Sequence, residues 1–111
     1  TYSNSAKVKI LGVNKETLLK EGAVSESVVR EMVIGAMQLG RAEYGIAISG
    51  VAGPGGGSKE RPVGTVCFAL GNSEEIITST MHFEGDRDDV RNQSVIYAFT
   101  EINNFLKTLQ N

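Results

Sequence analysis

Residues 44–70 read YGIAIS (Tyr44 to Ser49), GVAGPGGGSKERP (Gly50 to Pro62) and VGTVCFAL (Val63 to Leu70), and this stretch decides the fold. The two outer runs are short, apolar on both parities and bounded by glycine. That pattern suits strands covered on both faces better than strands with one wet side. Between them all periodicity breaks in a glycine-rich segment longer than a tight hairpin requires. Two central strands joined in this way need helices above and below them and further strands alongside.

The neighbouring segments supply part of that need. Upstream, Ser25 is placed to cap a helix running to about Gly40. Glu26 sits near its positive end, and Val28, Val29, Met32, Val33, Ala36 and Met37 recur at helical spacing. Earlier still, Ser3, Asn4 and Ser5 can each cap a short helical stretch from Ala6 to Leu11 that Gly12 ends, and Lys15 to Lys20 adds a turn or two stopped by Gly22. Downstream of the turn at Gly71, Asn72 and Ser73, the residues Glu75, Ile77, Ser79, Met81 and Phe83 alternate with Thr78, Thr80 and His82, which predicts an amphipathic edge strand. Asp86, Asp88 and Asp89 crowd the start of a final helix whose stripe includes Val90, Tyr97, Ala98, Ile102, Phe105, Leu106 and Leu109. The sum is an α/β layered architecture with a mixed sheet. Three strands and two good helices cover few of the apolar faces, so an upstream portion of the domain is expected to lie outside these residues.

Composition bounds the class. The 111 residues are 41% hydrophobic and 22% charged, enough for one soluble domain over 1–111 but not for two. The formal net charge is -2 and the basic residues form no stripe, which argues against nucleic acid or an anionic membrane as partner. No apolar run approaches the ~18 residues of a membrane span, and the first residues are too polar for a signal peptide. Cytoplasmic location is expected, and the single Cys67 in an apolar run agrees with a reducing compartment. A homo-oligomer is compatible with this composition.

Five glycines in eight positions, Gly50 to Gly57, leave main-chain N–H groups able to converge on an anion, with Lys59 and Arg61 adding charge nearby. The stretch is either a phosphate cradle or a plain connection between strands. It is neither a P-loop nor a dinucleotide fingerprint. Tyr2 and Lys7 lie five apart across a serine-rich cap. In the first helical turn Lys7 would meet the positive helix end and partial burial, and both lower an amine pKa toward the range of a general base. A solvated lysine beside an aromatic loop residue is the alternative. His82 lacks metal partners at ligand spacing, and Cys67 reads as a buried, inert thiol. Arg87 and Arg91 have the spacing to reach a phosphate, but pairing with Asp86 to Asp89 at helical spacing is the expected arrangement.

These residues also form a pattern. Ser49-Gly50-Val51-Ala52-Gly53-Pro54-Gly55-Gly56-Gly57-Ser58, followed by Arg61-Pro62-Val63-Gly64-Thr65-Val66, resembles the S-G-x-A-G-P-x-G-G…K-P-x-G-T-V signature of the nicotinamide-nucleotide amidase family, the C-terminal domain of the competence/damage-inducible protein CinA. Tyr2-Ser3-Asn4-Ser5-Ala6-Lys7 resembles its Y-S-N-x-x-K motif, and Gly85-Asp86-Arg87 to Arg91 its G-x-R-x-x-x-R motif. The resemblance implies a three-layer α/β/α sandwich that hydrolyses the carboxamide of nicotinamide mononucleotide to nicotinic acid mononucleotide and ammonia in pyridine-nucleotide salvage, with no metal and no cofactor. By position Lys7 and Tyr2 inherit catalytic roles. Ser49, Gly50, Ala52, Gly53, Gly55, Gly56, Gly57 and Thr65 inherit substrate contact. The family's serine nucleophile stands in an E-S-x-T-G-G segment upstream of the tyrosine, and nothing in this chain matches that segment. The 111 residues alone are therefore expected not to turn over the nucleotide, and a non-catalytic nucleotide- or phosphate-binding module is the competing reading.

Overall fold

A computed structural model describes residues 4–51 and 61–109, excepting the side chains of residues 4 and 5. In chain order the elements are α1 (Asn4–Lys9), α2 (Lys15–Glu21), α3 (Glu26–Gly40), β1 (Tyr44–Gly50), β2 (Thr65–Asn72), β3 (Ile76–His82) and α4 (Arg87–Leu109). The three strands pair antiparallel in the order β1-β2-β3, with Ser49 opposite Cys67 and Thr65 opposite His82. Helix α3 lies on one face and α4 on the other, which is the three-layer α/β/α arrangement.

Each layer follows from local sequence. Ser25 Oγ accepts from the Val28 N–H at 3.2 Å and opens α3, whose buried stripe is the predicted Val28, Val29, Met32, Val33 and Met37. On the sheet, Ala47, Cys67 and Ala69 meet that stripe. The opposite parity, Val66 and Phe68, packs with Val90 and Ala98 of α4. Phe68 sits 4.6 Å from Tyr97 between ring centroids and 6.4 Å from Phe83.

Only β2 is central, being buried from Thr65 through Gly71. The sequence reading placed β1 there as well. Instead β1 ends the sheet, with Tyr44 48% and Ile48 39% exposed, because its outer edge meets no strand among the described residues. The polar parity of β3 meets water at Thr80 and His82, as amphipathic alternation suggests, but it also reaches α3. Thr78 and Thr80 donate to the Glu26 carboxylate at 2.7 and 2.6 Å and so tie the strand to the start of α3. Helix α4 is apolar over a wider arc than the sheet covers, leaving Phe99, Leu106 and Leu109 exposed.

Two glycine positions set the geometry around the site. A Cβ on Gly35, mid-way along α3, would lie 1.7 Å from the carbonyl oxygen of Leu11, so the turn after α1 rests directly on the α3 backbone. Gly85 has φ 111°, and a Cβ there would lie 2.5 Å from that of Asp89. This clearance lets Asp86 and Asp89 cap α4 reciprocally. The Asp86 carboxylate accepts from the Asp89 N–H at 2.9 Å, and the Asp89 carboxylate accepts from the Asp86 N–H at 3.0 Å. The expected pairing of these carboxylates with Arg87 and Arg91 does not form among the described residues, because main-chain donors occupy them first.

Candidate functional site

A cavity of about 450 Å³ opens beside β1, lined by Lys7, Met32 and Ala36 on the helices, by Leu11 in the turn after α1 and by Ile46 to Gly50 on the strand. It brings Lys7 together with Ser49 and Gly50, three of the residues picked out from sequence. Lys7 is 7% exposed, and burial pushes its ammonium below the ordinary lysine value. Helix α1 begins at Asn4, so Lys7 falls in its last turn, at the negative end that favours a cation, and not in the first turn as the sequence suggested. The Lys7 carbonyl accepts from the Val13 N–H at 3.0 Å, and buried Leu11 and Val13 fasten the turn to α3.

The glycine-rich segment leaves β1 at this cavity. Its two ends are clasped together: the Val51 N–H donates to the Thr65 carbonyl at 2.9 Å, and the Gly64 N–H donates to the Val51 carbonyl at 3.1 Å. Gly64 has φ 96°, and a Cβ there would lie 2.1 Å from the Phe83 oxygen. Ala52, Gly53, Gly55, Gly56 and Gly57, like Tyr2, lie outside the described residues.

Thr65 does not join the Lys7 cavity. It is 2% exposed, its hydroxyl donates to the Pro62 carbonyl at 2.7 Å, and it lies 3.2 Å from His82 Nδ1. With His82, Cys67, Thr80 and Arg61 it borders a separate polar recess of about 370 Å³ on the other side of α3. Arg61, read from sequence as charge for an anion, is turned to main-chain oxygens there: Nε donates to the Val24 carbonyl at 2.6 Å and Nη2 to the Glu21 carbonyl. Its partners are main-chain carbonyls at the end of α2 and in the turn before α3, which no side-chain pattern announces. Cys67 is 2% exposed, and burial pushes its thiol up, consistent with an inert role. No group of metal-ligating side chains occurs among the described residues, and no helix among them is long and apolar enough to cross a membrane.

The pattern of the CinA C-terminal domain matches residues 1–106, which include the buried Lys7 and the end of β1 beside it. The chain belongs to the CinA C-terminal domain family. Residues of this CinA domain are 57% identical over 99 positions to the nicotinamide-nucleotide amidohydrolase PncC of Escherichia coli K12, covering 88% of this chain and 60% of that protein. They are 49% identical over 98 positions to a CinA-like protein of Fervidobacterium nodosum, covering 88% of this chain and 24% of the other. The crystal structure of a CinA superfamily protein from Klebsiella pneumoniae 700603 superposes with a TM-score of 0.92 at 42% identity, over 97% of this chain and 68% of that one. The domain thus spans about 60% of the PncC protein it matches.

Proposed function

We propose that this CinA domain supplies the general base and the substrate-binding wall of an amidohydrolase that converts nicotinamide mononucleotide to nicotinic acid mononucleotide and ammonia in the cytoplasm. The observation that carries the reading is Lys7, buried and driven toward its neutral form in a cavity walled by Ser49 and Gly50. A neutral amine accepts the proton of a serine hydroxyl as that oxygen attacks the carboxamide carbon. In the resemblance the serine belongs to an E-S-x-T-G-G segment, which these residues do not contain. The carboxamide oxygen becomes an oxyanion, stabilised by main-chain N–H groups of the glycine-rich segment. Lys7, with Tyr2 relaying the proton, returns it to the departing ammonia, and water then hydrolyses the acyl-serine. The likeness to PncC, named for this reaction, supports the substrate.

The test is a hybrid in which residues 1–106 replace their counterpart in Escherichia coli PncC, assayed for ammonia release from nicotinamide mononucleotide. General-base catalysis contributes about 10² to 10⁴ in rate, so Lys7→Ala should lower kcat of the hybrid by at least about 100-fold. Activity within about threefold of the hybrid, roughly 0.7 kcal/mol in the barrier, would remove Lys7 from the mechanism.

A further inference from the structure

A run of hydrogen bonds leads from β3, across the start of β2, to the wall of the Lys7 cavity. It begins at His82, whose Nδ1 lies 3.2 Å from Thr65 Oγ1. The Thr65 hydroxyl has one proton, and that proton goes to the Pro62 carbonyl at 2.7 Å. Toward His82 the oxygen can therefore only accept, so the imidazole carries a hydrogen on Nδ1 and donates it. Thr65 is buried at 2% exposure, whereas His82 is exposed on the polar parity of β3. A side chain at the surface thus holds the rotamer of a buried one.

Thr65 in turn ties the glycine-rich segment at both ends. Its N–H donates to the Pro62 carbonyl at 3.0 Å, alongside the hydroxyl, and its carbonyl accepts from the Val51 N–H at 2.9 Å. The Val51 carbonyl accepts from the Gly64 N–H at 3.1 Å, and Gly50 stands opposite Val66 in the ladder. Ser49 and Gly50, the last residues of β1, wall the cavity that holds Lys7. Among the described residues no strand pairs with the outer edge of β1, so the sheet holds its end from the β2 side only. We propose that His82 is a positioning residue for amide hydrolysis: through Thr65 it fixes the end of β1 against which the substrate carboxamide is aligned with Lys7. The tie from His82 to β1 rests on the contacts themselves; the reaction it serves rests on the amidohydrolase reading. His82 borders the polar recess on the other side of α3 and is not among the residues lining the Lys7 cavity, so its effect travels through Thr65. A small misalignment weakens the transition state more than ground-state binding, which places the effect on kcat.

The test uses the hybrid of residues 1–106 in Escherichia coli PncC, carrying His82→Ala, His82→Gln or His82→Asn and assayed for ammonia release from nicotinamide mononucleotide. Asparagine places Nδ2 where histidine has Nδ1 and keeps the donor, whereas glutamine carries its amide one carbon further out. His82→Ala and His82→Gln should lower kcat about five- to tenfold with KM within about twofold of the parent, and His82→Asn should stay within about twofold in both. A packing role would instead rank the variants by bulk, with glutamine nearest to histidine. In the chain itself, amide exchange at Val51 and Gly64 should quicken about five- to tenfold in His82→Ala but not in His82→Asn, with α3 unchanged. A kcat unaltered by His82→Ala, an asparagine variant as slow as the glutamine one, a loss confined to KM, or faster exchange throughout the domain overturns the proposal. A parent hybrid that releases no ammonia overturns the amidohydrolase reading. In that case quickening confined to Val51 and Gly64 and relieved by asparagine upholds the tie from His82 to β1, and its absence overturns it.

Discussion

Replacing Gly35 by alanine should both destabilise the domain and disturb Lys7. On an exposed helix the change would be favourable by about 1 kcal/mol, since glycine is a poor helix former. Here the new Cβ would sit 1.7 Å from the Leu11 oxygen and 2.6 Å from its carbonyl carbon. An ordinary carbon–oxygen approach is about 3.3 Å, so the turn after α1 must retreat by about 1.6 Å. Leu11 and Val13 are buried at 4% and 2% exposure and resist that retreat. Overpacking of this kind costs about 1–3 kcal/mol, which leaves a net loss of up to about 2 kcal/mol and a fall in Tm of several degrees, up to about 15 °C. Because the Val13 N–H holds the Lys7 carbonyl, α1 moves with the turn and Lys7 gains water. Calorimetry gives the stability, and ¹⁵N-lysine NMR titration should show the Lys7 ammonium rising toward its ordinary value. A Gly35→Ala protein more stable than the parent, with an unaltered Lys7 titration, would refute the close-packed geometry assigned to this turn.

Other expectations follow from single contacts. Hydrogen bonds from Thr80 and then Thr78 hold the Glu26 carboxyl below its usual range. A depressed folded value contributes stability above the unfolded pKa and loses it as pH falls through the folded one, so Thr78→Val/Thr80→Val should flatten the acid limb of urea midpoints measured between pH 7 and pH 3. Arg61→Lys breaks the fork to Glu21 and Val24 and should cost about 1–2 kcal/mol, with faster amide exchange confined to the α2–α3 turn; exchange faster everywhere would mean a global role. Cys67 should react with a disulfide reagent at least about 100-fold more slowly in the native protein than in denaturant, and equal rates would contradict its burial.

What the sequence revealed divides along physical lines. The α3 helix was legible because its cap and its stripe are both local, and they agree. Helix α1 was read two residues late because Ser3, Asn4 and Ser5 compete as caps, and that shift put Lys7 at the wrong end of the dipole. Apolar residues on both parities mark β1 as a strand but say nothing of its neighbours, so its place at the end of the sheet was hidden. Arg61 reaches carbonyls 37 and 40 residues away, and main-chain acceptors carry no signature in sequence. The engagement of Asp86 and Asp89 was written locally, yet pairing with arginine one turn on competed for the same carboxylates.

The clasp between Val51 and Gly64–Thr65 bears on how such a domain diversifies. With both ends joined by main-chain bonds and Arg61 tied back to α2, the start and finish of residues 52–60 are fixed by parts of the fold outside them. Lengthening a stretch whose ends are already held costs only a logarithmic entropy, about 0.6 kcal/mol per doubling. Insertions and deletions there are thermodynamically mild, whereas a side chain at Gly64 collides with the Phe83 backbone. Drift among relatives can therefore rewrite the length of that stretch while the frame that carries Lys7 and the strand ends stays intact.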